Sequence, residues 1–541
     1  MDLPLRMRPN GPSYLAALAG VVLGALATGC QPRVVNYQVR VVTSACVAPS
    51  PLENVTHMRF RVTGDGLEEP IVMVVPETDA VVEIPEIPAG TNRTIEVRAY
   101  DGDPSAGGKV VSMGSSLPFT VPDVVPEDQT PTEITIFLRR VGVFTPPSTA
   151  DAPTTCSMML EPRAGHTATL LADGRVFIAG GYHLSNGNID GSLDTTEIFN
   201  PGTGTFEKAA GLLVPPQNTS SLARAFMGAV LLKNGQVLLA GGETFNPPAG
   251  LFPVRSILIY DPTTNTFGKF DMKLPRRRPG VAVDSGGRVL IVGGTDGQGK
   301  PVEYAEWYDP EKGPHLARTE DPADLAAENP RLLPVKTPRA GMAVAPVQGG
   351  RFIAVAGGTD GVKLADEVLF FNFDGTTFQA SPSTVRLREV RYAPGIAPFK
   401  DSNNLLVAGG YNSSTEPMTS LNSSEIIATD AFNVSDGQVL SQARGDVCVA
   451  PLPDGRVVII GGRLDGGPGG LSSAAGEMMI PNPSGGASTV ALPLLDFPRY
   501  HHTCTTLKDG SVLVLGGVEQ RATGAPRVLQ DVYIYTPPPL D

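Results

Sequence analysis

Seven segments of the chain share one pattern of hydrophobic and polar positions. Each begins at an arginine, passes through an extended stretch and a tight polar turn, and ends in an apolar run before two glycines. In the first copy, "RAGHTATLLADGRVFIAGG", Thr167 to Leu171 and Val176 to Ala179 flank the turn. Two extended stretches around a tight turn predict a β-hairpin. The second stretch is continuously apolar, which predicts a strand covered on both faces.

The seven copies keep a regular spacing. The paired glycines begin at residues 180, 241, 293, 357, 409, 461 and 516, so successive copies lie 52 to 64 residues apart. In five copies the first glycine lies seventeen residues after the arginine, and in two it lies eighteen. A period of this length is typical of architectures built from repeated supersecondary units.

A third stretch recurs after the glycines, as in "TEIFNPGTGTF", "ILIYDPTTNTF" and "EVLFFNFDGTTF". Each is an extended run followed by an Asn/Asp turn and an aromatic residue, which predicts two further strands. Four antiparallel strands per unit describe the blade of a β-propeller. The units resemble kelch repeats of the galactose-oxidase-like type from Arg163 to the C-terminus. The resemblance implies an all-β fold with seven blades. A count of six blades is the alternative, because the last two units match the repeat pattern least after their glycines.

Closure of the ring requires one more strand. The last unit reaches "DVYIYTPPP", Asp531 to Pro539, without a fourth extended stretch. Residues Thr154 to Pro162 stand before the first repeat arginine, where a fourth strand precedes every other copy. We therefore predict that they complete the last blade, which would place Cys156 in the same blade as Cys504.

The segment before the propeller has a different pattern. Residues from about Val34 to Val141 hold short β-type runs separated by turn residues, including "HMRFRVTG", "RTIEVRAYD" and "TEITIFLRRV". This spacing predicts a small antiparallel sandwich, and the later runs resemble immunoglobulin-like or fibronectin-like modules. The predicted boundaries are 30–141 for this module, 142–153 for a Pro/Thr-rich linker and 154–541 for the propeller. We interpret the module as a spacer.

The N-terminus is typical of an exported protein. Arg6 and Arg8 precede the apolar segment Tyr14 to Ala27, which is short for a membrane span. The sequence "LATGC" that ends at Cys30 resembles the lipobox of bacterial lipoproteins, although Ala27 stands where leucine is usual. The resemblance implies a signal peptide over 1–29, a lipid (palmitate-type acyl) anchor on Cys30 and a place in the bacterial cell envelope, at the outer membrane, facing either the periplasm or the surface. An ordinary secretory signal is the alternative.

Composition narrows the choice of partners. The formal net charge is -13 and charged residues make up 18% of the chain. A nucleic-acid-binding protein needs clustered lysines and arginines, so this composition argues against a nucleic-acid partner. Apart from Cys30, the cysteines are Cys46, Cys156, Cys448 and Cys504. In an exported protein four cysteines permit two disulfides in three possible pairings, and their spacing does not predict zinc.

The repeated glycines and arginines are interpreted as structural. Phosphate loops need a single glycine turn that opens a helix, whereas these glycines recur between strands. The arginines either hold carbonyls and carboxylates at each blade or line the channel mouth and bind an anionic ligand. The ligand-binding candidates are Arg163, Arg224, Arg276, Arg339, Arg391, Arg444 and Arg499.

One stretch resembles an enzyme. "RYHHTCTTLKDG", which starts at Arg499, is similar to the histidine-bearing strand of galactose oxidase and glyoxal oxidase. The resemblance implies that His501 would be a copper ligand, in a site of two histidines and two tyrosines with one tyrosine crosslinked to cysteine. The other histidines supply no second ligand pair. A sialic-acid mutarotase is a further alternative, since some exported kelch propellers have that activity.

The sequence thus favours a non-enzymatic, lipid-anchored binding scaffold. We expect no catalytic residue, no metal and no cofactor, and a ligand that is either protein or carbohydrate. The recognition loops are predicted around Tyr182 to Leu193, Phe245 to Pro253 and Arg318 to Val335, because variable loops on a rigid scaffold are where recognition is placed.

Overall fold

The computed structural model describes residues 3–6, 37–44, 46, 48–76, 87–123, 132–211, 222–246, 250–311, 332–381, 385–400, 403–467, 469–483 and 485–540. Cys30 and most of the predicted signal peptide lie outside them. The chain forms two compact units: residues 1–157 with 200–205 and 536–541, and residues 158–199 with 206–535. Within the described ranges no helix has the length and apolar character needed to cross a membrane.

In its described residues the first unit contains β-strands and one 3-10 turn at Pro104–Ala106. Its sheet has the order β1-β2-β8-β6-β5-β3-β4, and β7 pairs with β5. The strands are β1 Leu3–Arg6, β2 Tyr37–Thr43, β3 His57–Thr63, β4 Ile71–Pro76, β5 Gly90–Tyr100, β6 Val110–Ser115, β7 Phe119–Val121, β8 Thr132–Arg140 and β9 Phe144–Thr145.

Strand β8 links the two parts of this sheet. It runs parallel to β2 from Thr132 to Leu138 but pairs with β6 only at Arg139 and Arg140. Alternate side chains of β2, β3, β5 and β8 pack together in one hydrophobic core. This is the arrangement expected when one face of each strand is apolar. The strand-rich character predicted for this segment is therefore present, while its relation to immunoglobulin-like or fibronectin-like modules stays a prediction.

The second unit is a seven-bladed β-propeller. Blades one to three each follow the predicted meander of antiparallel strands. Blade one is β10 Thr167–Leu170, β11 Val176–Ala179, β14 Thr196–Asn200 and β15 Thr205–Lys208, with the added hairpin β12 Tyr182–Ser185 and β13 Asn188–Ser192. Blade two is β16 Gly228–Leu231, β17 Val237–Ala240, β19 Gly250–Asp261 and β20 Thr266–Arg276, with β18 Glu243–Asn246 paired to β19. Blade three is β21 Gly280–Val283, β22 Val289–Val292, β23 Tyr304–Tyr308 and β24 Leu332–Pro334.

Blades four to six repeat the same order of four strands, and blade seven has its first three strands in this unit. Blade four is β25 Ala340–Val347, β26 Phe352–Thr359, β27 Leu369–Phe373 and β28 Phe378–Ala380, with a 3-10 turn at Gln348–Gly350. Blade five is β29 Gly395–Phe399, β30 Asn404–Ala408, β31 Ser424–Ala428 and β32 Asn433–Asp436. Blade six is β33 Cys448–Pro451, β34 Val457–Ile460, β35 Gly476–Pro481 and β36 Ala487–Ala491. Blade seven contains β37 Thr503–Thr506, β38 Val512–Leu515 and β41 Val532–Tyr535, with the hairpin β39 Val518–Glu519 and β40 Arg527–Val528.

The blades pack through their second strands. Strands β11, β17, β22, β34 and β38 are buried at every position, because each is covered by the blades on both sides. Between blades one and two, the ring of Phe177 stacks on that of Tyr260 with centroids 4.0 Å apart. The first strands of the blades neighbour one another around the axis, and β37 lies beside β10, so the ring is closed.

The segment Thr154 to Pro162 does not form a strand. Its residue Met159 donates a backbone hydrogen bond to the Gln530 carbonyl at 3.2 Å, so this part of the segment lies beside the turn that precedes β41. The predicted completion of the last blade by a strand at Thr154 to Pro162 is therefore not confirmed.

The cysteine pairing is one of the three that the sequence left open. Cys46 is bonded to Cys156 within the first unit, and Cys448 is bonded to Cys504 within the propeller. Cys156 thus does not pair with Cys504.

Candidate functional site

The repeat arginines are anchors inside the blades. All seven are at most 2% exposed. The guanidinium of Arg163 donates to the carbonyls of Gly180 at 2.8 Å and Thr195 at 3.2 Å, and to the Glu197 carboxylate at 2.6 Å. Arg391 repeats this set with Gly409, Ser423 and Glu425.

The carboxylates that pair with these arginines also bind backbone groups. Glu197 accepts the N–H groups of Leu160 and Glu161, and Glu425 does the same for Arg388 and Glu389. Burial lowers the pKa of Arg499 to about 10, which leaves its guanidinium charged at neutral pH. These contacts are those of structural residues, and a ligand-binding role for the seven arginines stays a prediction.

The glycine pairs join each blade to the next. The N–H of the second glycine donates to the carbonyl of the following repeat arginine, and the seven N···O distances are 2.8 to 3.0 Å. At Gly180, whose φ is +62°, an added Cβ would lie 2.3 Å from the Arg224 carbonyl oxygen. Glycine is therefore needed here both for the left-handed backbone and for the close approach of the next blade.

The residue two positions after each repeat arginine adopts the left-handed conformation. The φ angles of Phe226, Arg278, Asp446 and His501 lie between +50° and +54°. Backbone hydrogen bonds connect several of these positions directly, as from Phe226 N to Gly165 O at 2.7 Å and from Gly165 N to His501 O at 2.9 Å. Because they precede the innermost strands, they encircle one end of the channel. We call this ring the channel mouth; its members are Gly165, Phe226, Arg278, Gly341, Ala393, Asp446 and His501.

Four tyrosines surround the mouth. The Tyr182 hydroxyl is hydrogen-bonded to Nδ1 of His501 at 2.8 Å, and the Tyr411 hydroxyl donates to Oδ2 of Asp446 at 2.8 Å. Tyr500 packs its ring against His501 with centroids 4.8 Å apart. The mouth cluster comprises the side chains of Phe226, Arg278, Asp446 and His501 together with Tyr182, Glu243, Tyr392, Tyr411, Arg463 and Tyr500.

Charged groups are placed against the aromatic rings. Arg278 donates to Oε1 of Glu243 at 3.1 Å, and its guanidinium carbon lies 3.8 Å from the centroid of the Phe226 ring. The Arg278 side chain is still 49% exposed. Arg463 lies 4.9 Å from the Tyr500 ring centroid. Cations held over aromatic faces are stabilised by the ring quadrupole.

The mouth holds its histidine and its most buried tyrosines uncharged. Burial lowers the pKa of His501 to about 4; Asp446 opposes the shift, while Arg278 and Arg463 add to it. Burial raises the pKa of Tyr182, and burial together with Asp446 raises that of Tyr411. At neutral pH these side chains therefore offer neutral hydrogen-bonding groups beside aromatic surface.

Hairpins from three neighbouring blades stand along one side of the mouth. The hairpins β12–β13, β18–β19 and β39–β40 belong to blades one, two and seven. The Phe245 N–H donates to the Ser192 hydroxyl at 2.9 Å, and Tyr182, Val518 and Val528 share a hydrophobic cluster. Two of the predicted recognition loops correspond to the first two hairpins. The third lies outside the described residues, apart from 332–335.

The set of copper ligands implied by the resemblance is incomplete at the mouth. His501 has Tyr182 and Tyr500 beside it, but no other described histidine is hydrogen-bonded to the cluster or packed against its rings. Elsewhere, His166 is hydrogen-bonded to Thr503 and His183 is paired with Glu161. The four described cysteines are in disulfides, so none is available to crosslink a tyrosine. These residues do not fit that copper centre.

Sequence reasoning found His501 but missed the rest of the cluster. Phe226, Arg278, Asp446 and His501 all stand two positions after a repeat arginine, and Tyr182, Glu243, Tyr411 and Arg463 all follow a glycine pair. Aligning the seven copies at these two positions would have brought these eight residues together. Tyr392 and Tyr500 stand at a third position, one residue after a repeat arginine.

The model of the Kelch motif matches residues 275–313. The propeller contains a kelch motif. Among solved structures, the chain is similar to a fungal alcohol oxidase of the AA5 family in complex with copper, with a TM-score of 0.52 and 15% identity. That match covers 74% of this chain and 77% of the oxidase chain. At this identity the similarity shows the fold alone. A search of the curated proteins finds no match.

Proposed function

We propose that this kelch propeller is a lipid-anchored binding protein of the bacterial cell envelope that recognises a carbohydrate at its channel mouth. The observation that carries the proposal is the mouth cluster, in which aromatic rings lie beside neutral and charged hydrogen-bonding groups. Ligand sites commonly combine apolar and aromatic surface with a few placed polar groups. A sugar presents the matching chemistry, since its C–H faces pack on rings while its hydroxyls exchange hydrogen bonds.

The scaffold supports this proposal. The mouth residues are held by the closed ring of glycine–arginine hydrogen bonds, so the site is built on rigid strands before any ligand arrives. Little conformational entropy would then be lost on binding. The hairpins β12–β13, β18–β19 and β39–β40 add surface along one side of the mouth, which would select among ligands of different size.

The lipid anchor and the envelope location rest on the N-terminal sequence. If Cys30 is acylated, radiolabelled palmitate should enter the wild-type chain but not Cys30→Ala, and the variant should leave the membrane fraction. Unchanged fractionation of the variant would contradict the lipid anchor and would leave the proposal of carbohydrate binding at the mouth unaffected.

Copper oxidation, which the resemblance at His501 implies, is the second candidate, and His501 has Tyr182 and Tyr500 beside it. His501, Tyr182 and Tyr500 are the residues that would face bound copper, but the set lacks a second histidine and a free cysteine among the described residues. Stoichiometric copper in the purified chain that is lost in His501→Ala would favour this candidate.

The test of carbohydrate binding is a glycan array followed by calorimetry on the best ligand. Tyr182→Phe and His501→Asn should weaken binding, because the first removes a hydroxyl from the mouth and the second replaces the imidazole ring with a shorter amide. Arg386→Gln is the control, since it removes an exposed ion pair with Asp366 and leaves the mouth intact. Binding of a protein and of no glycan, or equal loss in all three variants, would overturn the proposal.

A further inference from the structure

A second cluster of chemical groups lies between blades six and seven. Cys448 begins β33 and Cys504 lies in β37, which are neighbouring first strands of the propeller. Their sulfurs form a disulfide, with Cα atoms 5.8 Å apart. The crosslink thus joins two elements whose positions are already held by the ring.

His502 completes this cluster. One ring nitrogen and the two sulfurs of Cys448 and Cys504 all lie within 4.8 Å of one another. The His502 side chain is only 8% exposed, and among the described residues neither ring nitrogen makes a hydrogen bond of ordinary geometry, although the Ile460 backbone lies near the ring. A buried polar group without a partner is costly, so its retention calls for an explanation.

The equivalent histidine in blade one, His166, also has a buried Nδ1 without a partner in the described part of the chain, but its other contacts differ from those of His502. His166 also stands three residues after a repeat arginine, but its Nε2 is hydrogen-bonded to the Thr503 hydroxyl at 3.0 Å. No cysteine stands beside it at the matching positions of β10. His502 therefore lies beside two cysteine sulfurs, whereas His166 has no cysteine at the matching positions of β10.

The His502 group is suited to a metal. Two thiolates and one neutral imidazole are ligands that Zn²⁺ prefers, with bonds of about 2.0 to 2.3 Å and a fourth position left for water. Ligand atoms around such an ion lie about 4 Å apart. The ring nitrogen of His502 already lies within 4.8 Å of both sulfurs, and the sulfurs would move apart once their bond is reduced.

We propose that Cys448, His502 and Cys504 form a zinc site that is gated by the disulfide. While the sulfurs are bonded to each other, neither offers a thiolate. A dithiol reductant transfers two electrons and two protons to the disulfide, yielding two thiols and becoming a disulfide itself. Zn²⁺ then binds the two sulfurs and His502, and the two thiol protons are released to solvent. The site is independent of the carbohydrate proposal.

The experiment compares the oxidised and the reduced full chain. Protein reduced with a dithiol and freed of reductant under argon is titrated with Zn²⁺ against a chromophoric chelator. We expect about one tightly held equivalent in the reduced wild type and none in the oxidised wild type. Equal uptake in both states, or none in the reduced state, would overturn the proposal.

Matched variants locate the ion. Cys46→Ser/Cys156→Ser should keep the equivalent, and Cys448→Ser/Cys504→Ser should lose it. His502→Asn should weaken binding by roughly 10- to 100-fold or more, while His166→Asn should leave it unchanged. If the double cysteine variant does not fold, the two histidine variants still decide: equal affinities in both would contradict a role for His502.

Discussion

The backbone N–H of Gly517 donates a hydrogen bond to the carbonyl oxygen of Arg163, 3.0 Å away, and so joins the last blade to the first. The same contact links each of the remaining pairs of neighbouring blades. Because the arginine side chain holds its own blade while its carbonyl holds the preceding one, each repeat arginine stabilises two blades. The mouth residues follow two positions later, so the geometry of the site depends on this ring.

Replacing the first glycine of a pair should destabilise the propeller. In Gly516→Ala the new Cβ would lie 2.3 Å from the Arg163 carbonyl oxygen, and the φ of +55° adds strain. We expect a loss of about 1–3 kcal/mol or more in the free energy of unfolding, measured by urea denaturation. The control is Gly524→Ala, where φ is +93° but no atom lies within 4 Å. Equal losses in both variants would show that backbone strain alone is responsible.

Breaking a buried arginine pair should cost more than breaking an exposed one. In Glu425→Ala the buried guanidinium of Arg391 loses its carboxylate, and two backbone N–H groups lose their acceptor. We expect a loss of about 3–5 kcal/mol in unfolding free energy. Asp366→Ala removes the exposed partner of Arg386 and should cost about 0–1 kcal/mol. Thermal melts of the two variants would give the ranking, and a reversed order would refute it.

The stacked pair between blades one and two should be a major source of stability. Phe177→Ala would leave a cavity against Tyr260 and cost about 3–5 kcal/mol. Phe252→Ala, at a phenylalanine that is 45% exposed, should change the unfolding free energy much less. Denaturant unfolding of both variants gives the comparison; similar midpoints would mean that the stack contributes little.

Acid should weaken the fold partly through His501. Its pKa is about 4 in the folded chain and near 6.5 when unfolded, so protons bind the unfolded state preferentially between these values. Stability contributed by the neutral ring is complete above about pH 6.5 and falls as the pH drops towards 4. We expect His501→Asn to make the loss of stability over this range less steep.

NMR titration of the His501 ring provides the direct measurement. A midpoint near 4 would agree with burial at the mouth. A midpoint near 6.5, or an unchanged slope of unfolding free energy against pH in His501→Asn, would contradict it. His57, which lies on β3 of the first unit, serves as the comparison within the same spectrum.

Much of the architecture could be predicted from local pattern. The turns at Asp173-Gly174 and the apolar runs such as Val176 to Ala179 are properties of short segments, and the structure has hairpins at those places. The all-β class and the seven blades follow from repeating that unit. The strand assigned to Thr154 to Pro162 was inferred only by analogy with the other copies, and local sequence there contains three breaks in β pattern at Ser157, Glu161 and Pro162.

What the sequence determined by itself was the repeat, because turn chemistry, strand pattern and spacing act between residues close in the chain. What only the tertiary structure decided was which distant side chains meet. Tyr182 and His501 are 319 residues apart, and Cys448 and Cys504 belong to different copies. Their contacts exist because ring closure brings blade seven beside blades one and six. The position of each arginine, tyrosine or histidine in the ring then decides whether its side chain is buried inside a blade or faces the channel mouth.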